Sequence, residues 1–117
     1  MEASAPTRGV PADAGATLEA LASRPTFLMV GTVEPRKGHE HVLDAFEHLW
    51  ATNVDVNLVI VGKQGWLVDD LVPRLRTHEE AGRRMFWLES VSDEYLDLIY
   101  AASTCLIAAS YGEGFGL

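Results

Sequence analysis

The residues best placed to do chemistry stand in two glycine-containing segments. These are Gly31-Thr32-Val33-Glu34-Pro35-Arg36-Lys37-Gly38 and Ser110-Tyr111-Gly112-Glu113-Gly114-Phe115-Gly116-Leu117. In the second, glycines at alternate positions leave main-chain amides uncovered by side chains, with the carboxylate of Glu113 among them. Such a surface suits a polyhydroxylated ligand better than a hydrophobic one. In the first, Arg36 and Lys37 stand at the expected start of a helix, where the macrodipole already presents partial positive charge and free N–H groups. Two cations are locally unfavourable there unless an anion joins them. A phosphate or diphosphate docked on Lys37 and the amides near Gly38 would relieve the conflict. The competing explanation is two solvated side chains in a poor position, at a cost of a few tenths of a kcal/mol.

Other patterns carry less. Gly112-Glu-Gly-Phe-Gly is not Gly-x-Gly-x-x-Gly and follows a fourth apolar run rather than the first, so it is no dinucleotide fingerprint, nor is there a P-loop. His39 and His41 are two apart, which on a helix sends the rings about 200° apart, and His48 and His78 complete no ligand pair. No Asp-x-Asp occurs to clamp a metal on a nucleotide diphosphate. A metal site is therefore not expected. Asp93 and Glu94 after Ser92 read as a helix cap and first-turn acids. Trp50, Trp66 and Trp87 read as core or interface packing, with Trp66, just past the second apolar run, also placed to line a cleft.

The elements that must position these segments follow from periodicity. Short apolar runs at Phe27 to Val30, Val56 to Val61, Met85 to Leu88 and Cys105 to Ala109 have the length and composition of strands buried on both faces. Val42, Leu43, Phe46, Leu49 and Trp50 fall at helical spacing, as do Leu96, Ile99 and Tyr100. A third helix is expected within Trp66 to Glu80, shortened or kinked by Pro73. The βαβαβαβ alternation with right-handed crossovers predicts an α/β, Rossmann-like parallel sheet of order 3-2-1-4. Ligands of such sheets bind beyond the carboxyl ends of the strands, where strand order reverses. The two glycine-containing segments then face each other.

Composition bounds the rest. At 117 residues the chain suffices for one domain burying roughly 60 to 70 percent of its unfolded surface. Residues 1–24, whose first part is rich in Ala, Pro, Gly and Ser, read as a linker or arm, and 25–117 as the folded domain. No run approaches the ~20 apolar residues of a membrane span, and no signal-peptide pattern opens the chain, which points to the cytoplasm. The single cysteine, Cys105, reads as a small buried hydrophobe. With 17 acidic and 9 basic residues and a net charge of -8, a general nucleic-acid binder is excluded, so any anion site must be local.

Four segments in order, Phe27-Leu-Met-Val-Gly-Thr-Val-Glu-Pro-Arg-Lys-Gly38, Leu58-Val-Ile-Val-Gly-Lys-Gln-Gly-Trp66, Val91-Ser-Asp-Glu-Tyr-Leu96 and Tyr111-Gly-Glu-Gly-Phe-Gly-Leu117, resemble the C-terminal domain of retaining family 4 glycosyltransferases. That family has the GT-B fold, and the variant most similar is the bacterial mannosyltransferase type that builds cell-surface polysaccharides. The resemblance implies that Lys37 binds the donor diphosphate, next to Gly31, Thr32 and Gly38. It implies that the backbone around Val91, with Leu96 nearby, holds the nucleobase, and that Glu113 and the amides of Gly114, Phe115 and Gly116 hold the transferred sugar. Many family members carry an arginine where Thr32 stands, so either Arg36 substitutes for it or the diphosphate relies mainly on Lys37. In the family, Glu113 would be the first of two glutamates in a Glu-x7-Glu motif, and the second would lie beyond Leu117.

The function implied is donor binding in a glycosyltransferase that moves a sugar, mannose or rhamnose, from a GDP- or UDP-linked donor to a saccharide or lipid-linked acceptor with retention of configuration. Lys37 would stabilise the leaving diphosphate, and Glu113 would orient sugar hydroxyls. The nucleotide sugar is a substrate, and no cofactor is implied. The acceptor would be held by an N-terminal domain outside this chain, which is expected to be inactive by itself. The parent protein would be peripheral at the inner membrane face, and the fragment would be able to self-associate through an open sheet edge. Two alternatives are a stand-alone nucleotide-binding module and a receiver-type interaction domain. The latter needs aspartates at the end of the first strand, where Gly31-Thr32 stands instead.

Overall fold

Asn57–Val61 (β2) is buried at every position in the computed structural model, which describes residues 7–108. Its side chains alternate between two cores: Leu58 and Ile60 enter one, Val59 and Val61 the other. A strand apolar on both sides must be covered on both sides, and this fixes the layering. Thr26–Val30 (β1) and Met85–Leu88 (β3) flank β2 in parallel, and Cys105–Leu106 (β4) adds in parallel to the other edge of β1. The order is β3-β2-β1-β4, as the alternation predicts. Phe27 is in register with Leu58 on one side and Cys105 on the other.

One face is covered by His39–Ala51 (α2) and Leu71–Arg76 (α3), the other by Ala14–Ala22 (α1) and Asp93–Ala102 (α4). In α2 the buried Val42, Leu43, Phe46 and Trp50 form the stripe anticipated from their spacing. Phe46 meets Phe27 edge-on at 5.5 Å and Trp50 at 5.8 Å, and the Trp50 indole N–H donates to the Val56 carbonyl at 2.8 Å. The helix expected within 66–80 is confined to six residues. Pro73 falls in its first turn, where a missing N–H costs no helical bond, and only Leu71 and Leu75 are buried.

Two features depart from the sequence-based expectation, and a third separates Trp66 from the other tryptophans. Within 1–24, read from sequence as an arm, α1 packs Ala14 and Leu21 into the core shared with α4. Its carboxyl end is tied to the sheet, because Asn57 Nδ2 donates to the Ala20 carbonyl at 2.9 Å. Few large apolar residues mark this helix, and alanine supplies most of its propensity, so no periodic stripe announces it. Cys105 is exposed rather than buried, and so is Leu106, which is 56% accessible. The reason is position: β4 is a two-residue strand that pairs only with β1 among the described residues, and its apolar run does not share the two-sided cover of β2. Trp66 is 82% accessible and packs in neither core, whereas Trp50 is buried and Trp87 half-buried.

Candidate functional site

At the carboxyl ends of β1 and β2 the two strands continue as paired backbone into their loops. Gly31 N donates to Val61 O at 2.9 Å, Val33 N to Lys63 O at 2.9 Å, and Gly65 N back to Val33 O at 2.9 Å. This close seam requires glycine. Gly62, at φ 150°, approaches Gly31 so nearly that a Cβ built on it would stand 1.8 Å from the Gly31 carbonyl oxygen. Gly31 itself has φ 131°, yet a Cβ there would meet nothing within 4 Å, so its bare backbone borders open space. The Trp87 indole N–H donates to Gly62 O at 2.8 Å and fixes the seam from β3.

That open space is a cleft of about 370 Å³ lined by Val30 with Gly31 and Thr32 just beyond β1, Val61 with Gly62 and Lys63 just beyond β2, and Glu89, Ser90 and Val91 beyond β3. It lies where doubly wound sheets bind ligands. Of the residues singled out from sequence, Gly31, Thr32 and Val91 are brought together here. Lys63 is the cation among the lining residues. It was not assigned a role from sequence, although the signal was present: it follows Gly62 at the end of β2 as Thr32 follows Gly31 at the end of β1. Glu89 is engaged elsewhere, with its carboxylate 3.0 Å from the Arg76 guanidinium, which in turn lies over the Trp87 ring.

The segment with Arg36 and Lys37 forms a 3-10 turn, Pro35–Lys37, one residue ahead of α2. Lys37 N donates to Glu34 O at 3.1 Å, and Gly38, at φ 76°, turns the chain into the helix and serves as its N-cap without a capping side chain. The cations therefore precede the helix rather than occupy its first turn. Arg36 is exposed, with its Nε 3.3 Å from Glu34 Oε1, whereas Lys37 is half-buried. His39, the first residue of α2, is buried to 3% exposure, and its Nδ1 has no hydrogen-bond partner. Burial, reinforced by the Lys37 charge, holds its pKa below the usual imidazole value against an opposing hydrogen bond to the Glu34 backbone. His41 is exposed on the same helix, as the two-residue spacing requires.

Leu96 lies on α4, packed against the core that holds Tyr95 and Ile99, and does not line the cleft. Glu113, Gly114, Phe115 and Gly116 lie outside the described residues. A second cleft of about 350 Å³, between the Pro35 turn and the segment leading into α3, is lined by Glu34, Glu40, Asp69 and Asp70 with Leu67, Val68 and Leu71. Its carboxylates would repel a diphosphate, so the cleft at the ends of β1, β2 and β3 is the better anion site of the two.

The family model for glycosyl transferases group 1 matches residues 17–117. The serotype-specific mannosyltransferase WbdA of Escherichia coli is 55% identical over 117 residues, covering 100% of this chain and 14% of the relative. Another WbdA sequence from the same species is 53% identical with the same coverage. The O-antigen chain mannosyltransferase B of Escherichia coli is 37% identical over 94 residues, 77% of this chain and 24% of the relative. The chain thus spans about one seventh of the length of its WbdA relatives. No solved structure matches. On the family match over these residues, the chain belongs to the glycosyl transferases group 1.

Proposed function

We propose that this chain is the donor-binding part of a mannosyltransferase of cell-surface polysaccharide synthesis, taking a GDP- or UDP-linked sugar. The observation that carries the reading is the cleft of bare glycine backbone at the ends of β1 and β2, in a chain 55% identical to WbdA. In this reading the nucleoside lies toward Val91, the diphosphate toward Gly31 and Lys37, and the sugar against Glu113, Gly114, Phe115 and Gly116. As the sugar–phosphate bond breaks with retention of configuration, negative charge grows on the leaving diphosphate. Lys37 and the uncapped amides at the start of α2 stabilise it. Arg36 contributes by exchanging its exposed contact with Glu34 for the diphosphate.

The acceptor, a saccharide or a lipid-linked chain, is bound outside this chain. The parent acts in the cytoplasm, peripheral to the membrane; among the described residues no helix is long and apolar enough to cross one. The isolated chain self-associates through the exposed β4, which sedimentation at rising concentration would reveal.

The test is titration of the isotope-labelled chain with GDP, UDP and inorganic pyrophosphate, followed by amide shifts. Shifts clustered at Gly31 to Gly38 and near Val91 support the reading. Shifts scattered elsewhere, or none at millimolar ligand, refute it.

A further inference from the structure

Deepening that reading, and resting on it, we infer that Lys63 is a second cationic contact for the nucleotide, held against the phosphate nearest the nucleoside. The strand order carries the argument. Across the sheet the carboxyl ends run β3, β2, β1, so Lys63 beyond β2 stands between Val91 beyond β3 and Gly31-Thr32 beyond β1. A ligand whose base lies at Val91 and whose diphosphate reaches Gly31 must pass Lys63 on the way with its ribose and first phosphate, and of these only the phosphate carries the charge that an ammonium pairs with.

The chemistry of the cleft fits. Lys63 is exposed and has no ion-pair partner among the described residues, in a chain whose net charge is -8. The one carboxylate in the lining, Glu89, is already bound by Arg76. The Lys63 backbone does not wander, because its carbonyl accepts from Val33 N at 2.9 Å and the preceding Gly62 is locked to Gly31 and Trp87. A flexible ammonium on an anchored backbone, in a cleft that Thr32 and Ser90 also line, is a ready phosphate partner. Thr32 leaves the end of β1 without a cation, and Lys63 supplies one from the neighbouring strand.

The experiment compares the wild type with Lys63→Ala, Lys63→Arg and Lys37→Ala, by amide shifts and calorimetry. The ligands are GDP or UDP, whichever binds more tightly, with its monophosphate and its nucleoside. Lys63→Ala is expected to weaken the diphosphate and the monophosphate about tenfold and leave the nucleoside unchanged. Lys63→Arg should recover most of the loss, and Lys37→Ala should weaken the diphosphate more than the monophosphate. The same thermal midpoint for Lys63→Ala and the wild type would exclude a loss through unfolding. If Lys63→Ala binds the diphosphate as the wild type does while Lys37→Ala does not, the Lys63 contact is overturned and the donor-site reading stands. If the wild type binds neither GDP nor UDP, both are overturned.

Discussion

Gly62 stands against the Gly31 carbonyl with no room for a single added carbon: a Cβ on Gly62 would lie 1.8 Å from that oxygen and 2.5 Å from its carbon. The partners are backbone on both sides, so no side chain can rotate away to relieve the overlap. The seam between β1 and β2 therefore depends on glycine at 62 for space and at 31 for conformation only.

This asymmetry predicts different outcomes for the same substitution. Gly62→Ala should cost about 3 kcal/mol or prevent folding, since it combines φ 150° with a backbone clash. Gly31→Ala, with nothing within 4 Å, should cost only about 1 kcal/mol of backbone strain. Urea denaturation of the two variants checks this, and equal losses would show that the close approach does not limit stability.

His39 gives the fold a pH dependence whose sign follows from its burial. Its folded pKa is lowered, first by desolvation and then by the Lys37 charge, from an unfolded value near 6.5. The unfolded chain therefore binds the proton more readily than the folded one. The contribution is fully present above about pH 6.5 and is lost as pH falls through the folded pKa. Wild-type stability should decline between neutral pH and about pH 5, where carboxylates still ionise, and His39→Leu should flatten that decline. Parallel curves for the two proteins would mean that His39 is not buried as a neutral ring.

Much of this molecule is legible in its sequence because the signals there are local. The stripe of α2 and the continuous burial of β2 follow from spacing and run length, and the sheet order follows from their alternation. α1 is illegible for the opposite reason: Leu21 is wholly buried, but its partners are Tyr95 and Ile99 on a helix far along the chain. Lys63 is similarly hidden, since only the sheet brings the end of β2 beside Val91 and Gly31. Cys105 misleads because an apolar run does not reveal whether its strand is covered on both faces, and among the described residues β4 pairs only with β1 and is exposed.

Its exposure makes Cys105 chemically accessible. In the native protein a small maleimide should modify it at a rate close to that of the urea-unfolded chain, without prior opening of the fold. A rate a hundredfold slower than in urea would contradict the exposed β4. Modification should leave the thermal midpoint nearly unchanged, because the side chain packs in neither core.

The start of α4 joins the amino-terminal segment to the cleft, and Ser92 is the joint. Its Oγ accepts from Tyr95 N at 3.0 Å as the helix N-cap, and the same hydroxyl donates to the Gly9 carbonyl. The two acids that follow complete the attachment: Asp93 Oδ2 accepts from Thr7 N and Glu94 Oε1 from Gly9 N, each at 2.9 Å. Val91, at the rim of the cleft, immediately precedes this joint. Ser92→Ala should therefore do more than remove a cap worth about 1 kcal/mol. It should speed amide exchange at Thr7 and Gly9, 83 or more residues away in sequence, and shift the Val91 amide in the same sample. A stability loss without faster exchange at Thr7 and Gly9 would show that the cap and the attachment are independent, and that Asp93 and Glu94 hold the segment without it.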